Sequence, residues 1–147
     1  MENINLNLLG DASIVSANYE KLFQSGSFFL ITGKVGLGYN REFQLCVFGP
    51  CPAPHDYITV PHHITGIFGR GRHFAEMGLG GTLILGPTRQ HYLFYLTVGY
   101  RLQPLRSNKV NVRIFVQIPF IGLNTEDIIF APFGVSVGWC FSSTQKI

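Results

Sequence analysis

The feature that most constrains this chain lies near its C-terminus, where Phe133, Val135, Val137, Trp139 and Phe141 alternate with Gly134, Ser136, Gly138 and Cys140. Successive side chains of a strand point to opposite faces, so this strand is bulky and apolar on one side and small or polar on the other. A water-soluble barrel keeps its bulky apolar row inside. Here the other row is too small to build a core, so the bulky row belongs outside, against hydrocarbon, around a polar interior.

The same inversion recurs along the chain. Tyr92, Phe94, Leu96, Val98, Tyr100 and Leu102 alternate with a row that includes Tyr95, Thr97, Gly99 and Arg101. Val110, Val112, Ile114, Val116, Ile118 and Phe120 alternate with Asn111, Arg113 and Gln117. Strand 73–85 sets Ala75, Met77, Leu79, Leu83 and Leu85 against Glu76, Gly78, Gly80 and Thr82, and strand 27–39 sets Phe29, Ile31, Val35 and Leu37 against Thr32, Lys34 and Gly36. Charged residues inside these four strands all fall on the face away from the apolar row. A soluble sandwich also segregates its faces, but its polar face carries long charged side chains rather than glycines. Strand 57–68 fits least well, because its apolar row of Val60, Ile64 and Phe68 also holds His62, which suits an interfacial position.

Only 13% of the 147 residues are charged, against roughly 25% in an average soluble domain, while hydrophobic residues reach 46%. Mean hydropathy is +0.23. Yet no run approaches the 18 or so apolar residues of a membrane-spanning helix, so a membrane could be crossed only by strands closed into a barrel. The net charge of +3 is scattered; it provides no basic stripe for nucleic acid. Met1 to Leu9 lack the charged start and continuous apolar core of a signal peptide, which for an exported protein implies a mature form or a truncated product.

Seventeen Gly and thirteen Phe, with Pro mostly outside the apolar runs and no sustained 3.6-residue period, predict strands and turns and almost no helix. The expected strands are 3–9, 12–23, 27–39, 57–68, 73–85, 91–102, 109–120 and 128–141. A single strand from Asn3 to Phe23 would run about 70 Å, and the apolar row shifts parity from Ile4, Leu6 and Leu8 to Val15, Ala17 and Tyr19. A turn at Gly10 accounts for both and gives eight strands; a bulge there would give seven. The fold class is therefore all-β, an antiparallel up-and-down transmembrane β-barrel of eight strands over residues 1–141, followed by a short tail, 142–147. With the N-terminus on the periplasmic side, the long connection from Asn40 to Asp56 falls outside the cell and the short turns near Ser25, Arg70 and Ser107 inside.

Hairpin arithmetic gathers the inward charges. A turn centred at 88.5 sets Glu76 opposite Arg101, and one centred at 107 sets Arg101 opposite Arg113. His63 comes close from the preceding strand, giving a lumen charge network of Glu76, Arg101, Arg113 and His63. Eight strands leave a bore only wide enough for side chains, so this network reads as a structural plug, the sharper alternative being a gated ion path. Cys46 and Cys51, in a proline-rich loop, are spaced to close a small disulfide ring or to remain two thiols. Cys140 reads as a small lumen-facing filler. His62 and His63 point to opposite faces and cannot chelate one ion; there is no HExxH or GxGxxG motif, and no Ser elbow, the GVSVG run at 134–138 lying inside an alternating strand. No catalytic set, metal or cofactor is expected. The inward glycines are expected to make room for Glu76, Arg101 and aromatic neighbours.

The runs GKVGLGY at 33–39, GRGRHFAEMGLGGT at 69–82, VGYRLQP at 98–104 and GVSVGWCF at 134–141, with the cysteine- and proline-containing loop, resemble small outer-membrane β-barrels of Bacteroidetes. The resemblance spans nearly the whole chain. It implies a location in the bacterial outer membrane, contact with outer-membrane lipid, and recognition of the terminal aromatic, Phe141, by barrel-assembly machinery. The six residues after Phe141 depart from that pattern. The expected protein is a monomer, not an enzyme, with a structural or surface-interaction role through its outer loops. A lipid-modifying barrel enzyme, a narrow channel and a soluble ligand-binding barrel are the alternatives.

Overall fold

Alternation of period two needs extended backbone, and the stretches that carry it are strands. A computed structural model describes residues 2–25, 29–42, 53–87, 91–102, 110–121 and 129–141. In chain order its strands are β1 (Glu2–Leu8), β2 (Val15–Ser25), β3 (Phe29–Arg41), β4 (Asp56–Arg70), β5 (His73–Leu85), β6 (Tyr92–Leu102), β7 (Val110–Ile121) and β8 (Phe133–Phe141). Each pairs antiparallel with the next, and β1 pairs with β8 from Glu2↔Phe141 to Leu8↔Val135, so the eight strands form a closed barrel. Closure leaves no edge of unpaired backbone groups. The expected all-β, eight-stranded, up-and-down topology is the observed one, and the described residues contain no helix. Cys46, Cys51 and the tail 142–147 lie outside the described residues.

The parity shift near Gly10 is a turn. Leu9, Gly10, Asp11 and Ala12 have φ of 61°, 73°, 57° and 50°, four left-handed residues in succession. The turn is tied by Leu9 N–H donating to the Ile14 carbonyl and Ser13 N–H to the Gly10 carbonyl, each at 2.9 Å. These residues fold into the barrel mouth, so β2 begins at Val15 rather than at 12. At the other end of the sequence β8 begins at Phe133 rather than 128, because the preceding segment also packs inward through Phe130. Bulges lie elsewhere, between Leu22 and Gln24 against β3 and between Phe94 and Tyr95 against β7. The β3–β4 ladder breaks between Val35↔His62 and Gly38↔Thr59, opposite Pro61, which has no N–H to donate.

Side chains are allocated inside out. Leu37 is 66% exposed, Ile64 67% and Val137 51%, while Asn5, Asn18, Glu20 and Gln117 are at most 2% exposed. His62 is on the outer face with Ile64 and Phe68, and His63 is buried with Pro61 and Thr65. The interior is not wholly polar: Ile67, Ile84, Leu93, Tyr95 and Phe115 also face inward and are buried. The inward glycines make room for Asn18 at Gly36, His63 at Gly80, Asn5 at Gly138 and Phe115 at Gly134. Phe115 is an aromatic neighbour of the kind the sequence anticipated, whereas Glu76 and Arg101 are not among the atoms nearest these glycines.

Two glycines with the same left-handed φ separate backbone strain from packing. A β-carbon at Gly10 would sit 2.6 Å from the Phe115 ring, whereas at Gly71 nothing lies within 4 Å. Gly71→Ala is expected to cost about 1–2 kcal/mol from conformation alone. Gly10→Ala is expected to cost a further ~1–3 kcal/mol from overpacking. Urea unfolding of the two variants checks this; equal losses would mean that the turn does not pack against β7.

Candidate functional site in the barrel lumen

Among the described residues, six buried side chains carry formal charge inside the barrel: Asp11, Glu20 and Glu76, against Lys34, Arg101 and Arg113. They separate into two tiers. In the tier nearer the chain termini, Arg101 Nη2 of β6 is 2.6 Å from Glu20 Oε1 and 2.7 Å from Glu76 Oε2. Arg113 Nε of β7 is 3.3 Å from Glu76 Oε1. Because β2 and β6 lie on opposite sides of an eight-stranded ring, the Arg101–Glu20 pair spans the bore. Asn5 Nδ2 donates to Glu20 Oε2 at 3.1 Å, which satisfies a second carboxylate lone pair. Charge balances within the tier, as burial demands.

The second tier is built on the left-handed turn. Asp11 is fully buried, and its carboxylate receives Lys34 Nζ of β3 at 2.8 Å, Gln117 Nε2 of β7 at 2.7 Å and an amide hydrogen bond from Asn7 of β1. His63 Nε2 of β4 lies 2.9 Å from Asp11 Oδ1 and 2.9 Å from the Tyr95 hydroxyl. The Asp11 N–H donates to Gln117 Oε1 at 2.6 Å, and its carbonyl accepts from Thr82 Oγ1 of β5 at 2.8 Å. One residue thus ties β1, β3, β4, β5 and β7 together. Above it, Asn40 Nδ2 donates to the carbonyls of Ala12 at 2.7 Å and Ile129 at 2.9 Å. Ala12, Tyr57, Ile84, Leu93 and Tyr95, with Phe130 against them, close this end with apolar contacts. Between the tiers the Phe115 ring has Arg113 Cζ 5.0 Å and Lys34 Nζ 5.7 Å from its centroid, within cation–π range.

The sequence-derived network is thus redistributed. Glu76, Arg101 and Arg113 come together, but the register sets Glu76 opposite Gly99 and Arg101 opposite Phe74. The β5–β6 hairpin is centred at 87.5, half of 76 + 99, not at 88.5; the arginine's length closes the gap. Arg101 is opposite Arg113, as the arithmetic gave. His63 is not in this group; it belongs to the Asp11 tier. Glu20, Asp11 and Lys34 were missed as network members. Hairpin arithmetic sees only adjacent strands, so the Glu20–Arg101 contact across the bore was beyond it, and Asp11 looked like an ordinary polar turn residue. Two signals were available: Lys34 falls opposite Glu20 on β2 and His63 on β4, and two arginines buried with one glutamate call for another carboxylate.

The lumen arrangement can hold charge and block a path. The His63–Asp11 contact is buried on both sides, and the nearest hydroxyls, Tyr95 and Thr82, bond to each other at 2.9 Å. Among the described residues, no group of three His, Cys, Asp or Glu could hold a metal. Cys140 is buried and its sulfur accepts from Asn111 Nδ2 at 3.2 Å. Phe141, the last residue of β8, is exposed on the outer face. Comparison with protein-family models, curated proteins and solved structures finds no match to this chain.

Removing one partner from a buried pair leaves an uncompensated charge. Asp11→Asn is expected to destabilise the barrel by about 3–5 kcal/mol, and adding Lys34→Met to regain a good part of that loss. Urea titration in lipid vesicles checks the cycle; purely additive losses would show that the two residues are not coupled. In the other tier Arg101→Met is expected to cost more than Arg113→Met, because it leaves Glu20 without an ion pair, whereas Glu76 keeps Arg101 when Arg113 is removed, and the same titration ranks them.

Proposed function

We propose that this chain is an integral β-barrel of a bacterial outer membrane, of the small Bacteroidetes type that its motifs resemble. Its bore is plugged rather than conducting. It acts as a structural or surface-interaction protein through the connections at the plugged end. The observation that carries this reading is the inversion of the barrel. Val35, Ile58, Met77, Leu96, Ile114 and Val137 face outward from different strands, while amides, hydroxyls and paired ions fill the inside. Soluble monomers rarely expose contiguous apolar patches beyond a few hundred Å².

Aromatic residues bound the apolar wall. Tyr39 and Tyr92 are exposed near one end, and Tyr100, Trp139 and Phe141 near the other, as amphipathic rings favour at membrane interfaces. Phe141 is the residue that assembly machinery would read. The Arg101–Glu20 pair across the bore and the Asp11 turn across its mouth favour a closed lumen over an ion path. The burial of the His63–Asp11 contact on both sides, with the adjacent Tyr95 and Thr82 hydroxyls bonded to each other, favours a non-catalytic role. In this reading the barrel is a monomer that contacts outer-membrane lipid and needs no cofactor.

Folded protein is expected to require detergent or lipid. It should migrate on a gel at a shifted position until boiled, and give no steady conductance in planar bilayers. Monodisperse, folded material in plain buffer would overturn the membrane reading. Conductance that changes on Glu76→Gln would overturn the plug.

A further inference from the structure

Residues 9–14 close the barrel mouth without belonging to its sheet. The β1–β2 ladder ends at Leu8↔Val15, and the turn beyond it has two backbone bonds of its own, from Leu9 N–H to the Ile14 carbonyl and from Ser13 N–H to the Gly10 carbonyl. Three of its four left-handed residues, Leu9, Asp11 and Ala12, carry a β-carbon, and such residues keep that conformation only where the surroundings impose it. Here the surroundings act through Asp11 and Ala12.

The walls of the bore read every part of this dipeptide. Lys34 Nζ, Gln117 Nε2 and Asn7 Nδ2 donate to the carboxylate. Gln117 Oε1 accepts the Asp11 N–H, Thr82 Oγ1 donates to the Asp11 carbonyl, and Asn40 Nδ2 donates to the Ala12 carbonyl. Ala12 itself lies in an apolar cluster with Tyr57, Ile84, Leu93 and Tyr95. Side chain and main chain are recognised together, as a peptide is by a receptor. One group is left over. Asn7 Oδ1 belongs to a residue only 1% exposed and has no hydrogen-bond partner, so the turn does not exhaust what the site offers.

We infer that the mouth of the bore is a binding site for an acidic peptide segment, an aspartyl residue followed by a small apolar one, which the chain's own turn occupies in cis. An incoming aspartate takes over the bonds of Asp11 while residues 9–14 swing outward about Leu8 and Val15, leaving the strand ladders intact. The Arg101 tier is not involved, so the bore stays closed. The inference deepens the surface-interaction reading and rests on it, since that reading turns this mouth toward the outside of the cell. Ligand and turn make the same bonds, so affinity for the ligand is weak as long as Asp11 competes.

The test is isothermal titration calorimetry of the folded, detergent-solubilised barrel with the blocked tripeptide acetyl-glycyl-aspartyl-alanine amide, which repeats residues 10–12, and with its asparaginyl counterpart. The aspartyl peptide should bind the unaltered protein with a dissociation constant on the order of 1 mM. The asparaginyl peptide should bind about tenfold more weakly, or worse. Asp11→Gly removes the competing carboxylate at a φ that glycine adopts freely, and should tighten the aspartyl peptide about tenfold or more. Adding Lys34→Met should abolish that gain. Equal affinity for the two peptides overturns the inference. So does a lack of binding to the unaltered protein at about 10 mM peptide, which would make Asp11 a fixed structural residue even if the glycine variant binds. An Asp11→Gly protein that folds and binds no more tightly overturns it too. Where that variant does not fold, the two peptides on the unaltered protein decide. Failure on a heat-modifiable, detergent-requiring barrel leaves the membrane reading standing, whereas folded material in plain buffer removes the outward-facing mouth whatever the peptides do.

Discussion

The structure depends on the mutual cancellation of six charges within a bore that eight strands leave just wide enough for side chains. Asp11, Glu20 and Glu76 meet Lys34, Arg101 and Arg113, and each tier is neutral by itself. An isolated ion in such an interior is costly, whereas a paired and hydrogen-bonded one is tolerable. The pairs also link distant parts of the chain. Glu20 and Arg101 are 81 residues apart, and Asp11 and Gln117 are 106 apart. They meet only when the sheet has curled into a ring, whereas Glu76 and Arg101 belong to neighbouring strands, so closure completes a charge network that local pairing begins.

The wall of the barrel was legible in the sequence because a period of two is a local property. Val110 to Phe120 and Phe133 to Phe141 declare their faces residue by residue, and even His62, the awkward member of β4, sits where parity puts it. The turn at Gly10 was legible from the parity shift. Registers were partly legible: Arg101 falls opposite Arg113, but the β5–β6 hairpin misses by two residues because its turn centre had to be guessed within 86–90. The bore was legible only where neighbouring strands meet, as at Glu76, Arg101 and Arg113, for a geometric reason. Sequence spacing relates a strand to its neighbours, whereas Glu20 and Arg101 face each other across the ring. Asp11 was hidden for a different reason, since alternation carries no information once the backbone turns left-handed.

Outside the barrel polar side chains are also paired, with different partners. His62 is bonded to Tyr92, His73 to Tyr100, and Tyr39 donates to Asp56 at 2.6 Å while Arg41 approaches the same carboxylate at 3.5 Å. Three histidine or tyrosine contacts of this kind neutralise polar atoms that would otherwise interrupt the apolar wall. Tyr39, Tyr92 and Tyr100 stand near strand ends, so most of the outward side chains between them are hydrocarbon.

The two ends of the bore are closed by different physics, and this gives the molecule a direction. One tier is ionic, with Arg101 as a strut between opposite walls. The other is a folded-in turn, held by Asp11 to five strands and sealed by Ala12, Tyr57, Ile84, Leu93 and Tyr95. The same end carries the connections between β3 and β4 and between β7 and β8. Asn40 bonds to both Ala12 and Ile129, so the plug and the base of the last connection share one amide. A plug fastened in this way does more than fill space: it fixes the platform from which the connections rise. Under the proposed surface role, a rim already fixed by the plug has less conformational freedom left to lose on contact, which is the physical link between a filled bore and that role.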